Sequence, residues 1–241
     1  MQIDFYCEYP KENNLEKLKL IKFPCRTFIA SSSIKKFKGL EKQAKKINKR
    51  IACCYWPIVK NSYWISPFSN TRDLEELFKK LDKIKNQILI DLEPPFLNKK
   101  LIFKNILNLR KNKRLITSFL KKNKKKITTA EHPFPNSRIM QFFGLDYNIN
   151  TEKDFMYYTT VIPKWIKNKI KRDLIKIKNK ENCSIGLGVN ATGVFWTEKI
   201  LSPKKLEEDL NFVKQAGFDK VIIYRLGGLN KEYIKVIKKF R

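Results

Sequence analysis

Histidine is almost absent: His132 is the sole one in the chain, which excludes a multi-histidine zinc centre. Glycine is scarce, with 8 residues, and no GxGxxG or GxxxxGKS/T loop follows any strand-like run. Nucleotide binding at the switch point of an open sheet therefore has no sequence support. Gly186-Leu187-Gly188 falls inside such a run rather than after it. The 5 cysteines (Cys7, Cys25, Cys53, Cys54, Cys183) are an odd number, scattered through apolar segments with no CxxC pair. That pattern fits buried thiols, not a disulfide framework or a structural zinc site. No stretch approaches the ~18 uninterrupted apolar residues of a membrane-spanning helix. Met1-Gln2-Ile3-Asp4 lacks the basic-then-apolar order of a secretion signal. The expectation is a soluble, cytoplasmic protein with no membrane partner. Acidic residues are also in deficit, 23 against 52 Lys and Arg, leaving a formal charge of +29.

What is present is the material of a folded chain. Of 241 residues 42% are hydrophobic, and 17 Phe, 9 Tyr and 4 Trp can supply a core that a disordered chain of this charge would lack. The length suits one domain spanning 1–241. Among the basic residues 43 are Lys and 9 are Arg, although Arg is the better reader of phosphates and bases. Lysine spread with Ile and Asn along every segment reads as a solvated surface, with nucleic acid the less favoured partner. The densest run, Lys121-Lys122-Asn123-Lys124-Lys125-Lys126, falls where a helix should end, and cations there suit the helix dipole.

Eight β-rich runs, at 2–7, 27–31, 51–56, 87–93, 126–131, 153–159, 184–190 and 220–225, alternate with helical patterns at 34–48, 71–83, 101–121, 163–179, 203–216 and 230–240. Ser202 is placed to N-cap the fifth of these helices, Pro203 takes its first position, and Gly217 closes it. The count predicts an α/β fold, a single-domain (β/α)8 TIM barrel. Such a barrel builds its site at the carboxyl ends of its strands, so the residues closing each run are the candidates.

Those ends are polar and aromatic: Glu8-Tyr9, Ser31-Ser32-Ser33, Tyr55-Trp56, Asp91-Leu92-Glu93, Glu131-His132, Tyr157-Tyr158, Asn190 with Trp196 beyond it, and Tyr224-Arg225. Asp91 and Glu93 are the sharpest feature, because side chains two apart on a strand share a face, about 7 Å apart. Both are expected to point into the barrel mouth, with Ile88, Ile90 and Leu92 facing the helices. Two inward carboxylates cost desolvation and mutual repulsion, which raises the pKa of at least one and prepares it as a proton donor. An acid beside an anion is the chemistry of glycosidic bond cleavage.

The stretch Gln87-Ile88-Leu89-Ile90-Asp91-Leu92-Glu93-Pro94 resembles the fourth-strand DxE signature of the chitinase family of glycoside hydrolases and of the related lysozyme barrels. The resemblance implies that Glu93 is the general acid and that Asp91 orients the substrate's acetamido group, which itself attacks the anomeric carbon. It also implies that Tyr157 or Tyr158, near the end of strand six, assists. The chain departs from the chitinase motif at Leu89, where a further Asp is usual, and at Asn86-Gln87, where the motif starts with a glycine.

Glu8, Glu131, His132, Asn190 and Arg225 are candidate substrate-binding groups where they face inward. Tyr55, Trp56, Tyr63, Trp64 and Trp196 are candidates for a platform on which sugar rings stack. The expected partner is a carbohydrate or other small polar ligand, with no cofactor and no metal. Two alternatives stand beside this reading. One is a binding barrel without turnover; the other is a metal-dependent sugar-phosphate or nucleic-acid enzyme using Glu8, Glu93, Glu131 and His132, although such barrels use more histidines than this chain has.

Overall fold

The computed structural model describes residues 1–95, 98–188, 190–191 and 199–241. Its strands are β1 (Gln2–Cys7), β2 (Cys25–Ser31), β3 (Ile51–Pro57), β4 (Ile88–Asp91), β5 (Ile127–Glu131), β6 (Glu152–Met156), β7 (Cys183–Gly188) and β8 (Lys220–Tyr224). They close in sequence order into an all-parallel barrel, the (β/α)8 architecture expected. The intervening helices are α1 (Glu12–Leu15), α2 (Ile34–Ile47), α3 (Thr71–Leu81), α4 (Lys100–Asn105), α5 (Leu109–Asn123), α6 (Arg138–Phe143), α7 (Lys164–Ile175) and α8 (Pro203–Gln215), with α9 (Lys231–Lys238) last. Side-chain oxygens of Ser33, Asn70, Ser137, Ser202 and Asn230 cap α2, α3, α6, α8 and α9.

Strand alternation divides the buried residues into two cores. Ile88, Ile90 and Leu92 lie with Phe37, Leu120 and Leu210 between sheet and helices, whereas Leu89 joins Tyr6, Phe28, Cys54, Trp56, Met156 and Ile222 inside the barrel. The ladder of β4 ends at Asp91, paired with Ala130, so Glu93 lies just beyond its strand, before Pro94-Pro95. Tyr158, Asn190 and Arg225 likewise follow the last paired residues of β6, β7 and β8.

The amino-terminal floor of the barrel is sealed by charge instead of hydrocarbon. Arg26 donates from Nε to Asp4 at 2.8 Å and through Nη1 and Nη2 to both oxygens of Glu152 at 2.6 and 2.7 Å. Gln87 adds its amide to Glu152 at 3.0 Å and to the Thr128 hydroxyl at 2.9 Å. These partners let three charges lie inside a barrel end with little solvent.

Candidate active site

The parallel register places Asp91, Ala130, Asp154 and Ser184 side by side across four strands, all on the inner face. Ala130 leaves room between the two carboxylates. Gly186 does the same one step along, since a Cβ there would lie 2.6 Å from Asp154 Oδ2. The Tyr6 hydroxyl donates to Asp154 Oδ2 and the Ser184 hydroxyl to Oδ1, each at 2.7 Å. At the rim Glu8 accepts from Tyr63 at 2.9 Å, from Tyr224, and from Arg225 Nη1 at 3.2 Å. Tyr224 in turn stacks on Tyr158 with centroids 5.2 Å apart. No described residue donates a hydrogen bond to the half-buried Glu93 carboxyl.

The mouth is therefore acidic, and burial raises the pKa of Glu93, Asp91 and Asp154. Burial, then the Glu8 charge, pushes Glu93 up to about 7. Burial, then Glu93, Glu8 and Asp154, pushes Asp91 well above the usual carboxylate range. Burial raises Asp154 to about 7 against the lowering effect of its Ser184 and Tyr6 hydrogen bonds. Burial first, followed by Asp154, Tyr224, Asp91 and Glu93, also raises the Tyr158 phenol, so this hydroxyl belongs to the same cluster. Three polar atoms around the mouth are buried and lack a partner among the described residues: Asp91 Oδ1, Trp56 Nε1 and Asn190 Nδ2. Orphaned groups of this kind are costly in a folded interior unless something else satisfies them.

Adjacent candidates cannot share one face, and alternation separates them. Trp56 faces inward, its ring 5.5 Å from Tyr6, so Tyr55 faces the helices, against Phe37 at 4.8 Å with its hydroxyl on the Ser31 carbonyl. Tyr158 lies in the mouth, while Tyr157 packs on Phe212 at 5.5 Å. Glu131 points out of the barrel, where its oxygens meet Thr129 at 2.8 Å and Lys153 at 3.1 Å, and Lys153 also meets Asp146 at 2.7 Å. These placements correct the expectation that Tyr55, Tyr157 and Glu131 reach the ligand. His132 follows β5 on the register of the inward Ala130, and burial lowers its pKa and keeps it neutral. Asn190 accepts the Arg225 backbone N–H at 2.9 Å, and Arg225 lies over the Tyr9 ring at 4.6 Å. Trp196 lies outside the described residues. Glu8 and Tyr63 also line a groove of about 550 Å³ that runs from the rim past Tyr9, Ser32 and Ile58.

Asp154 and Tyr6 are inward groups that reading strand ends passed over. For Asp154 the signal was the period of two along Glu152, Asp154, Met156 and Tyr158. The four-residue metal set does not assemble, because Glu131 is turned outward onto Lys153 and Glu8 is engaged by Arg225. Among the described residues no three His, Cys, Asp or Glu side chains converge as metal ligands. All five cysteines are buried and free.

The buried carboxyls carry a stability consequence. Glu131 is raised to about 8 by burial, so it, Glu93 and Asp154 hold protons in the folded chain that the unfolded chain has already released. Folding stability is therefore expected to fall as pH rises from ~5 to about 7, by on the order of 1 kcal/mol per group per pH unit, and on to about 8 through Glu131 alone, visible as a lower melting midpoint. His132, with its pKa lowered by burial, opposes this only below its ordinary 6.5. A midpoint that climbs over the same interval would contradict the protonation states given above.

The carboxyl-end mouth of this closed parallel barrel thus holds a DxE pair, a tyrosine and stacked aromatics. No known family model and no curated sequence matches the chain. Solved structures do. A chitinase from Chromobacterium violaceum ATCC 12472 superposes with a TM-score of 0.56 at 11% identity, covering 99% of this chain and 98% of that one. A class V chitinase from Nicotiana tobaccum, as a mutant in complex with NAG4, gives 0.55 at 9% identity over 98% of both chains. The spore cortex-lytic enzyme SleL of Bacillus megaterium QM B1551 gives 0.53 at 10%, over 98% of this chain and 73% of that one. The fold is thus similar to that of chitinase barrels.

Proposed function

We propose that the chain is a glycosidase acting on N-acetylated sugars, with Glu93 as the proton donor and Asp91 as its electrostatic partner. The observation that carries this reading is the pair itself: Asp91 at the end of β4 and Glu93 just beyond it, close enough for the Glu93 charge to raise Asp91, with the Glu93 carboxyl lifted to about 7 by burial and by Glu8. In the first step Glu93 gives its proton to the glycosidic oxygen as that bond breaks, and the leaving sugar departs as an alcohol. The substrate's own acetamido oxygen forms the new bond to the anomeric carbon, oriented by Asp91 and by the Tyr158 hydroxyl. Water then opens this cyclic intermediate, returning a proton to Glu93. Trp56 Nε1 and Asn190 Nδ2 supply donors for sugar hydroxyls, and the orphan Asp91 Oδ1 an acceptor. The similarity in fold to a chitinase bound to NAG4 supports the sugar class.

The test is a panel of aryl glycosides, N-acetylglucosaminides included, with oligosaccharides of N-acetylglucosamine, measured with and without a chelator. Release of product from the N-acetylated substrates, unchanged by the chelator, is expected. Loss of activity to the chelator would favour the metal enzyme. Saturable binding without product would instead support a binding barrel that does not turn over.

A further inference from the structure

From Pro94 to Ala130 the chain has no acidic residue at all, while Lys99, Lys100, Lys104, Arg110, Lys111, Lys113 and Arg114 crowd the part up to Arg114. Large apolar side chains stand out among these cations. Leu107 is 93% exposed, Phe103 79%, and Ile139 and Phe142 of α6 66% each. The elements that carry them are tied together. Asn105 of α4 donates to the Phe68 carbonyl at 3.0 Å, Phe143 packs on Phe68 at 6.2 Å, and Lys113 of α5 donates to the Gln141 and Phe142 carbonyls at 2.7 and 2.9 Å. Arg110, Arg114 and Phe142 line a shared groove. Lys111 has Glu75 at 3.4 Å, but among the described residues no carboxylate pairs with Lys99, Lys100, Lys104, Arg110 or Arg114.

We propose that this α4–α6 surface docks peripherally on a bilayer carrying anionic lipid, with Phe103, Leu107 and Phe142 entering the headgroup region and Arg110, Arg114 and the flanking lysines meeting the lipid phosphates. Apolar tips ringed by unpaired cations are the composition of an interfacial anchor, and no membrane-spanning run is needed for it. Charge argues against the other occupants. A second copy would bring another strongly cationic face to this one. Nucleic acid would find rings at Phe103 and Phe142, but Leu107, the most exposed of these side chains, and Ile139 protrude beside them and offer nothing for a base to stack on. The surface is built on the segments that follow β4 and β5, at the mouth end of the barrel. The inference is independent of the chemistry proposed for Glu93.

Co-sedimentation with vesicles tests it. Vesicles of phosphatidylcholine mixed with phosphatidylserine are expected to bind the protein ~10-fold or more tightly than phosphatidylcholine alone, with binding weakened by salt. Phe103→Ser/Leu107→Ser/Phe142→Ser should lose ~10-fold or more of that affinity, while its melting midpoint holds because the side chains are exposed. Arg110→Glu/Arg114→Glu should lose a comparable amount through charge alone and serves as the second, independent variant. Equal partition to both vesicle types, or full binding by both variants, would overturn the proposal. So would a duplex oligonucleotide that displaces the vesicles and binds the apolar triple variant as well as it binds the parent, which would assign the surface to nucleic acid.

Discussion

Glu93→Gln is expected to lower turnover of N-acetylglucosaminides by ~100-fold or more while leaving ligand affinity and fold in place, the usual scale for losing an acid catalyst. An amide has the shape of the protonated carboxyl and can still donate to the glycosidic oxygen, but it cannot give up the proton. The same group sets the pH dependence. A general acid works only while protonated, so kcat/KM should fall as pH rises through about 7, the value to which burial and Glu8 lift this carboxyl. Asp91→Asn should also impair turnover, through the acetamido group it orients. A rate profile flat across neutral pH, or turnover unaffected by Glu93→Gln, would leave Glu93 without the role given to it.

Arg26→Ala should cost about 3–5 kcal/mol of folding stability, the largest single effect expected outside the mouth. The guanidinium is the only described cation within 3.0 Å of either Asp4 or Glu152, and its side chain is 15% exposed while that of Asp4 is 1% exposed. Removing it leaves two carboxylates in the barrel floor with the backbone N–H of residue 26, Gln2, Gln87, Thr128 and the more distant Lys220 as their remaining partners. Chemical denaturation of the variant beside the parent measures the loss. Conversion of Glu152→Gln in the same background should recover part of it, because one of the two stranded charges is then gone. A loss below ~1 kcal/mol would mean that the floor is hydrated and that the pair contributes no more than a surface bridge.

The barrel was legible because eight apolar runs alternate with helical periodicities, and strand length barely depends on anything beyond them. The inner face of β4 was legible for the same reason. Ile88, Ile90 and Leu92 could only belong between sheet and helices, which sent Leu89 and Asp91 inward. At Tyr55-Trp56, Tyr157-Tyr158 and Glu131-His132 the sequence offers two adjacent candidates at a strand end, and only one of each pair can face the ligand. Which one depends on the register against neighbouring strands, carried by pairs such as Phe28 with Cys54 and Ala130 with Asp154. That register is a property of the closed sheet and not of any local run. Asp154 escaped for a related reason: it is mid-strand, and its depth in the mouth depends on Ala130 and Gly186 being small on the two flanking strands.

The charge of the chain divides in the same way. Spread over 241 residues, +29 looked like solvation. Much of it is spent locally, as where Lys126 donates to the Leu81 and Ile84 carbonyls and Lys122 meets Asp82 at 2.6 Å. The earlier part of the acid-free stretch, up to Arg114, stands apart only once α4, α5 and α6 are seen to adjoin.

The most direct test of the proposed chemistry is a crystal structure of the Glu93→Gln variant with an oligosaccharide of N-acetylglucosamine. The expected result is a sugar in the barrel mouth with its glycosidic oxygen within hydrogen-bond reach, ~3 Å, of the side chain at position 93. Its acetamido group should lie against Asp91 and Tyr158. An oligosaccharide seated elsewhere, or bound in the mouth with its acetamido group turned away from Asp91, would contradict the account.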